Sequence, residues 1–311
     1  MNLKILAHLF QTIKTIWNNQ PDTVFCLMGP TGIGKTDLAI SLVEQLPCSI
    51  ISVDSALVYR HMNIGTAKPT PDRLIKAPHA LIDLCEPNEP YSVGKFLIDA
   101  QKTIKQALRE KRIPLLVGGT FMYFRALQMG LADLPSAQNE IRQTLTEQIK
   151  QQGLVTLYQR LHQIDPDYAA CIHPHDRQRI QRALEIYAHT GKTRTQLMQI
   201  DRQNHSNFSF YNIALMPVDR AQLYTTLTQR FHSMIQKGFI EEVRSLTQHN
   251  DLREDLPAMR AVGYRQIWQY LSKQSSYAQM EELSVRASCQ LAKRQLTWLR
   301  NWPDIHSLIK N

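Results

Sequence analysis

Short apolar runs alternate with longer amphipathic segments in the first half of the chain. The runs at Thr23–Met28, 49–53 and 113–117 are almost continuously apolar, which predicts buried strands. The segments 37–46 and 97–110 repeat their apolar residues at helical spacing, which predicts helices. Apolar strands that alternate with helices are typical of a parallel sheet with helices packed on its faces.

The second half of the chain has a helical pattern that one strand interrupts. Residues 137–191 show helical periodicity, and Asp165 followed by Pro166 has the form of an N-cap with a first-turn proline. Residues 211–215 return to a strand pattern. From Arg220 onward we again predict helices.

These changes of pattern divide the chain into three predicted parts. Residues 21–133 and 206–311 would form an α/β core, and residues 134–205 a smaller, all-helical insertion. Residues 1–20 have apolar positions at helical spacing, which predicts an amphipathic helix that packs on the rest of the protein. They do not resemble a signal peptide, and no apolar run approaches the roughly 18 residues of a membrane span. We therefore expect a cytoplasmic protein with no membrane partner.

Composition narrows the class of protein only a little. With 311 residues, 43% of them hydrophobic and 20% charged, the chain can bury a sizeable core. The formal net charge of +9 is compatible with a polyanionic partner, but charge alone leaves nucleic-acid binding at even odds. The five cysteines are scattered without a C-x-x-C pair, so neither a disulfide framework nor a zinc site is predicted.

A phosphate-binding loop follows the first predicted strand. The sequence GPTGIGKT matches G-x-x-x-x-G-K-[ST], and a helix is predicted directly after it. The glycines allow backbone N–H groups to point at phosphate oxygens, and the helix N-terminus adds a positive field. Lysine supplies a cation and threonine a hydroxyl for Mg²⁺. The predicted loop consists of Gly29, Pro30, Thr31, Gly32, Ile33, Gly34, Lys35 and Thr36.

This motif gives the predicted fold class, α/β with a P-loop NTPase-like parallel-sheet core and an inserted all-helical smaller domain. It indicates a diphosphate or triphosphate ligand without deciding between them. Asp54 follows the strand at 49–53, where its carboxylate can hold Mg²⁺, take a proton from a nucleophile or cap the local backbone. The strand at 113–117 ends in Gly118, Gly119 and Thr120 instead of an acidic residue. The missing acid argues against a motor-type NTPase and leaves a small-molecule kinase open.

Two predicted helices are strongly basic. The segment 286–300 has four basic residues and no acidic one. Its core-facing positions would be Val285, Cys289, Ala292, Leu296 and Leu299. The segment 177–182 is similar, with an apolar stripe predicted at Ile180, Leu184 and Tyr187. Two such helices beside a P-loop favour contact with a nucleic-acid backbone.

These motifs together resemble the tRNA dimethylallyltransferases, also called tRNA isopentenyltransferases. The matching segments occur in family order, at residues 29–36, 54–69, 116–127, 172–187, 260–271 and 291–300. The resemblance implies transfer of a dimethylallyl group from dimethylallyl diphosphate to N6 of the adenosine 3′-adjacent to the anticodon of tRNA. It also implies that the P-loop binds the donor diphosphate with Mg²⁺, for which Thr36 would be a ligand.

Catalytic and binding roles follow from the same resemblance. Asp54 would be the general base, and Thr120 would orient a substrate. Lys35 and Arg230 would stabilise the diphosphate, and the adenine would have to be flipped out of the anticodon loop. The partner would be the anticodon stem-loop, bound by a monomer. The implied tRNA-binding residues are Asp54, Ser55, Ala56, Leu57, Thr120, Arg142, Gln178, Arg179, Ile180, Gln181, Arg182, Arg260, Ala261, Val262, Gly263, Tyr264, Arg265, Lys293, Arg294, Gln295, Leu296, Thr297, Trp298, Leu299 and Arg300.

Three other functions remain open at this point. The first is an ATP-dependent small-molecule kinase in which Asp54 activates a hydroxyl group. The second is a prenyltransferase that acts on free adenine nucleotides. The third is a non-catalytic RNA-binding protein, which would leave the intact P-loop and Asp54 without a purpose.

Overall fold

The computed structural model describes residues 3–130, 134–135, 138–200, 207–248 and 251–310. The chain forms two compact units, one comprising the described residues up to Gln128 and from Asn207, the other those between Met129 and Ser206. We call them the sheet unit and the helical unit. The predicted insertion at 134–205 lies within the helical unit.

A parallel sheet of six strands is the framework of the sheet unit, as the α/β pattern predicts. Its strand order is β3-β2-β4-β1-β5-β6, and every pairing is parallel. The central strands are buried on both faces, which explains their continuous apolar runs. The strands are β1 Thr23–Met28, β2 Cys48–Val53, β3 His79–Ala80, β4 Ile113–Gly118, β5 Ser209–Pro217 and β6 Ile305–Lys310.

In the sheet unit, helices occur where the sequence pattern predicts them, but their first and last residues differ from the predicted ones. Helix α4 begins at Val93, four residues before the predicted start, because the Ser92 hydroxyl caps it by accepting a bond from the backbone N–H of Lys95. A short 3₁₀ helix spans Ala258–Arg260. The α-helices are α1 Leu3–Asn19, α2 Lys35–Gln45, α3 Pro71–Lys76, α4 Val93–Arg109, α5 Phe121–Met129, α11 Arg220–Gln236, α12 Phe239–Thr247, α13 Tyr264–Leu271 and α14 Tyr277–Arg300.

The prediction of only helices after Arg220 is wrong at the end of the chain. Residues Ile305–Lys310 form β6, which pairs with β5 at the edge of the sheet. An edge strand has only one neighbouring strand, and the Ile309 side chain is exposed. Such a strand lacks the continuous apolar run by which the central strands are recognised. The two-residue strand β3 is too short to give any pattern.

Two apolar clusters form the core of the sheet unit. The first surrounds the strands and includes Leu9 and Ile13 of α1, so the N-terminal helix packs on the sheet unit. The second lies beside it and is built around Tyr59, Phe239 and Tyr264.

The helical unit contains five described helices, and the structure describes no strand in it. Asp165 caps α8 by accepting a bond from the backbone N–H of Tyr168, and Pro166 stands in the first turn, as predicted. Ile180 and Leu184 are buried as expected. Tyr187 is exposed, so the predicted apolar stripe is wrong at its last position. The helices are α6 Asn139–Gln152, α7 Leu154–Ile164, α8 Pro166–Ala170, α9 Arg177–Thr190 and α10 Arg194–Ile200.

In the part of the chain that the structure describes, none of the helices combines the length and apolar character needed to cross a membrane.

Candidate active site

A cavity opens at the carboxyl ends of the central strands. In the register of the sheet, Gly118 of β4 pairs with Met28 of β1 on one side and with Val53 of β2 on the other. The P-loop, Asp54 and Thr120 follow these three strand ends and line one cavity of about 820 Å³. Ligands of open α/β sheets bind at this edge. The structure therefore places the residues predicted to bind the diphosphate and the predicted general base, Asp54, in the same cavity.

The P-loop has the backbone that its glycines allow. Gly32 and Gly34 have φ angles of 78° and 90°, in the left-handed region that other residues rarely adopt. Helix α2 begins directly after Gly34, at Lys35, and its first N–H groups have no partner within the helix. The Lys35 ammonium group donates to the carbonyl oxygens of Gly29 and Pro30, at 2.9 and 2.8 Å. This loop is shaped to bind phosphate oxygens.

Two buried basic side chains, Lys35 and Arg230, interact electrostatically with Asp54. Burial lowers the pKa of Lys35 to about 8, an effect that Asp54 opposes and that Arg230 of α11 strengthens. Burial also lowers the pKa of Arg230, and Asp54 again acts in the opposite direction. Arg230 lines the same cavity. These partly desolvated cations would bind an anion strongly, because little water remains to compete for them.

The pKa of Lys35 predicts that diphosphate binding weakens at alkaline pH. A lowered pKa means that Lys35 is charged below about 8 and neutral above it. We expect the affinity for inorganic diphosphate to fall by up to about tenfold per pH unit above that value. Calorimetry between pH 7 and 10 measures this. A Lys35→Arg variant should not show the decline, because its guanidinium stays charged. A decline of equal size in both proteins would show that deprotonation of Lys35 is not its cause.

One of the two carboxylate oxygens of Asp54 is hydrogen-bonded to the backbone. Its Oδ1 accepts hydrogen bonds from the backbone N–H groups of Ala56 and Leu57, at 2.8 and 3.3 Å. Among the described residues, Oδ2 has no hydrogen-bond partner. Capping of the local backbone, one of the roles considered for this residue, is therefore present. It fixes the carboxylate and leaves one oxygen available for chemistry.

Thr120 connects the ends of β2 and β4. Its backbone N–H donates to the carbonyl oxygen of Val53 at 3.2 Å, and its Oγ1 accepts a bond from the backbone N–H of Ser55 at 3.1 Å. Asp54 lies between these two contacts in the sequence. Thr120 therefore fixes the loop that carries the predicted base.

Close packing at Gly118 leaves no room for a side chain, acidic or other, at the last residue of β4. A Cβ atom added at Gly118 would lie 2.0 Å from the carbonyl oxygen of Val53. The obstacle is backbone of the neighbouring strand, which cannot rotate away. Any side chain here would force β2 and β4 apart.

Several residues in the predicted tRNA-binding segments have side chains turned away from solvent. Ile180, Leu296 and Leu299 belong to apolar cores, and Tyr264 is fully buried. The structure thus corrects the expectation for the side chains of Ile180, Leu296 and Leu299, because contact with tRNA through them would require unfolding the core. Gln295, another predicted tRNA contact, is buried as well, and its amide is hydrogen-bonded within the protein. In the same segments, Arg179, Arg260, Arg265, Lys293, Arg294, Thr297, Trp298 and Arg300 are exposed.

Within the helical unit, some predicted tRNA contacts are already engaged in local interactions. Arg142 and Arg182 both form ion pairs with the buried carboxylate of Glu185, at 3.6 and 3.2 Å. The Gln181 side chain donates to the carbonyl oxygen of Arg142 and to the hydroxyl of Thr146. Gln178 and Arg179 are exposed. Glu185, at the centre of this network, could not be recognised from the sequence pattern.

A second carboxylate that the sequence did not reveal shapes another wall of the cavity. Glu242 accepts bonds from the backbone N–H groups of Asn63, Ile64 and Gly65, at 2.9, 2.7 and 3.2 Å. It also accepts a bond from the Tyr264 hydroxyl at 2.6 Å. Gly65 and Tyr264 both line the cavity. Glu242 therefore holds a segment without regular structure against α13.

A phosphate-binding loop and a fixed carboxylate that share one cavity define a P-loop protein built for group transfer. The family model described as IPP transferase matches residues 57–302, and the model described as Isopentenyl transferase matches residues 22–86. The chain therefore belongs to the IPP transferase family, and it is a transferase.

Individual relatives cover almost the whole chain. It is 48% identical to tRNA dimethylallyltransferase 2 of Hahella chejuensis (strain KCTC 2396), over 91% of this chain and 89% of that protein. It is also 48% identical to the tRNA dimethylallyltransferase of Coxiella burnetii (strain RSA 331 / Henzerling II), over 92% of each. The crystal structure of the tRNA isopentenylpyrophosphate transferase from Bacillus halodurans is similar, with 33% identity, a TM-score of 0.67, and coverage of 93% of this chain and 90% of that one.

Proposed function

We propose that this protein transfers a dimethylallyl group from dimethylallyl diphosphate to N6 of the adenosine 3′-adjacent to the anticodon of tRNA. The products are N6-dimethylallyladenosine and diphosphate. The observation that carries the proposal is the shared cavity of the P-loop and Asp54, in a chain that is 48% identical to tRNA dimethylallyltransferases. Such a cavity suits a reaction that needs an anion cradle and a proton acceptor together.

The donor diphosphate would lie on the P-loop. Its backbone N–H groups, Lys35 and Arg230 would bind the phosphate oxygens and stabilise the negative charge that builds on them as the C–O bond breaks. That bond leaves its electron pair on the diphosphate. The Lys35 ammonium group already lies against the loop, where it is hydrogen-bonded to the carbonyl oxygens of Gly29 and Pro30.

The oxygen groups near the P-loop fit Mg²⁺. The Thr36 hydroxyl lines the cavity, and so does Ser52, whose buried Oγ has no hydrogen-bond partner within the described part of the chain. The described residues contain no cluster of three or more His, Cys, Asp or Glu for a metal ion. Mg²⁺ is commonly held by one or two protein oxygens, waters and substrate phosphates. Held at Thr36, it would neutralise charge on the diphosphate.

The acceptor adenine would enter the cavity with N6 directed at Asp54. The exocyclic amine is a weak nucleophile, because its lone pair is delocalised into the ring. As N6 forms its bond to the allylic carbon, Oδ2 of Asp54 would take the proton that N6 loses. Thr120 would help to orient the substrate from its position beside the Asp54 loop. The flipped base would come from the anticodon stem-loop of tRNA, bound by a cytoplasmic monomer.

A transfer assay with two acceptors tests the proposal. Purified protein, Mg²⁺ and labelled dimethylallyl diphosphate are given unmodified tRNA in one reaction and free AMP in another. We expect label on the tRNA alone. Label on AMP alone would replace the proposal with an adenine-nucleotide prenyltransferase. Label on neither acceptor, combined with saturable ATP binding, would favour the kinase.

The exposed basic face of α14 should contribute to tRNA binding through phosphate contacts. Lys293 and Arg294 are exposed, and each phosphate contact adds to the salt dependence of binding. Replacing both with alanine should weaken binding of an anticodon stem-loop and reduce the slope of log K against log salt by about 1.4. Filter binding at several salt concentrations measures this slope. An unchanged slope would exclude these two residues from contact with phosphates.

A further inference from the structure

Helix α14 presents its basic side chains to solvent and at the same time sends one polar side chain inward. Lys293 and Arg294 are exposed, whereas the adjacent Gln295 is only 7% exposed. A buried amide is rare in a core and must be hydrogen-bonded to be stable there. Both ends of this amide have partners, and neither partner belongs to α14.

Gln295 bridges two loops of the cavity that are far apart in sequence. Its Oε1 accepts a hydrogen bond from the backbone N–H of Thr31, in the P-loop, at 2.8 Å. Its Nε2 donates to the carbonyl oxygen of Gly119, directly after β4, at 2.9 Å. A Cβ atom added at Gly119 would lie 2.4 Å from this Nε2. The close contact therefore depends on a glycine at position 119.

We propose that Gln295 is a positioning residue that fixes the P-loop against the end of β4 and so shapes the site for the donor diphosphate. The inference rests on the proposed function for the identity of that ligand. Both hydrogen bonds of the Gln295 amide are made to backbone groups. Gln295 therefore constrains the backbone path of the P-loop directly, independently of the neighbouring side chains. A P-loop binds phosphate through several backbone N–H groups aimed at one point, and a small shift of the loop misaligns them all.

The expected effect is a selective loss of donor binding. Without Gln295, the Thr31 N–H and the Gly119 carbonyl lose their protein partners, and the loop is free to move before ligand arrives. We expect the affinity for inorganic diphosphate with Mg²⁺ to fall by about tenfold, the range for losing buried hydrogen bonds. The KM for dimethylallyl diphosphate should rise by a similar factor, with the KM for tRNA unchanged and kcat within about threefold.

Two variants and one control separate hydrogen bonding from packing. Gln295→Met has nearly the same length and volume but forms neither bond. Gln295→Glu still accepts from Thr31 but cannot donate to Gly119, so it should also bind diphosphate more weakly, and it provides the measurement if the methionine variant does not fold. Gln290→Met is the matched control, because Gln290 is exposed on the same helix. Thermal unfolding establishes that each variant is folded.

Calorimetry with inorganic diphosphate decides the matter without requiring transfer. Weaker binding in the folded Gln295 variants but not in Gln290→Met would support the inference. Unchanged diphosphate affinity in a folded Gln295 variant would overturn it, as would an equal loss of affinity for an anticodon stem-loop. A wild-type protein that binds diphosphate but prenylates no acceptor would refute the proposed function and leave the role of Gln295 intact.

Discussion

Asp54→Asn is expected to lower kcat by roughly 10³-fold while donor and tRNA binding stay within about threefold, since a general base contributes about 10² to 10⁴ in rate. Asparagine has the same shape, and its remaining oxygen can still accept from Ala56 and Leu57, as Oδ1 of Asp54 does. It replaces Oδ2, the oxygen without a protein partner among the described residues, by an amide nitrogen that cannot accept a proton. Single-turnover transfer to tRNA measures the chemical step.

Two further variants define what this result means. Asp22→Asn, at an exposed aspartate that precedes β1, at the opposite end of this strand from the P-loop, is the control and should be fully active. Asp54→Ala removes the two backbone bonds as well, so any additional loss relative to Asp54→Asn measures the positioning role of Oδ1. Loss of tRNA binding in folded Asp54→Asn, or a kcat within tenfold of wild type, would contradict the general-base role.

The same substitution should also move the pH dependence of diphosphate binding. Asp54 raises the pKa of Lys35, against the larger effect of burial. Removing the negative charge at position 54 therefore lowers the pKa of Lys35 further. The alkaline decline in affinity should begin at a lower pH in Asp54→Asn than in the wild type, which the calorimetric titration described above detects.

Lys35→Met should be the second most damaging substitution, with kcat/KM lowered by about 10² to 10³-fold, the cost of losing one preorganised group that stabilises developing charge. Methionine keeps most of the length and removes the charge and the bonds to Gly29 and Pro30. Affinity for inorganic diphosphate should fall as well, because the cation acts on the bound ligand before the reaction begins.

Lys105→Met provides the matched control for this loss. Lys105 is exposed on α4, so its removal changes the net charge by the same amount without touching the cavity. The control should keep wild-type activity. If both variants lost activity equally, the effect would come from net charge, and the role of Lys35 at the diphosphate would be wrong.

The central strands could be predicted because their burial leaves a direct signal. Strand β1 was predicted with its observed ends, Thr23–Met28, since a strand covered on both faces must be apolar throughout. The edge strand β6 carries no such signal. The ends of helices are harder to predict, because a single capping residue can decide where a helix begins. In α4, the cap formed by the Ser92 hydroxyl places the start about one turn before the predicted residue.

The geometry of the site could be predicted only where a motif specifies it. The P-loop and Asp54 were predicted at the carboxyl ends of two strands, and they follow β1 and β2, which lie on either side of β4. Parallel strands bring these ends to one edge of the sheet. Gln295 and Glu242 could not be recognised, since their partners are backbone groups far away in the sequence. A glutamine or glutamate on a helix usually faces solvent, and nothing in its neighbours marks the exception.

The crowding at Gly118 also bears on how this protein can evolve. An ATP-hydrolysing relative would be expected to need an acidic residue at this strand end, yet a side chain there would collide with the Val53 carbonyl at 2.0 Å. Room for it could be made only by displacing β2, whose next residue is Asp54. A mutation toward nucleotide hydrolysis would thus damage the present chemistry before it supplied the new one. The same contact therefore opposes an acidic substitution at position 118.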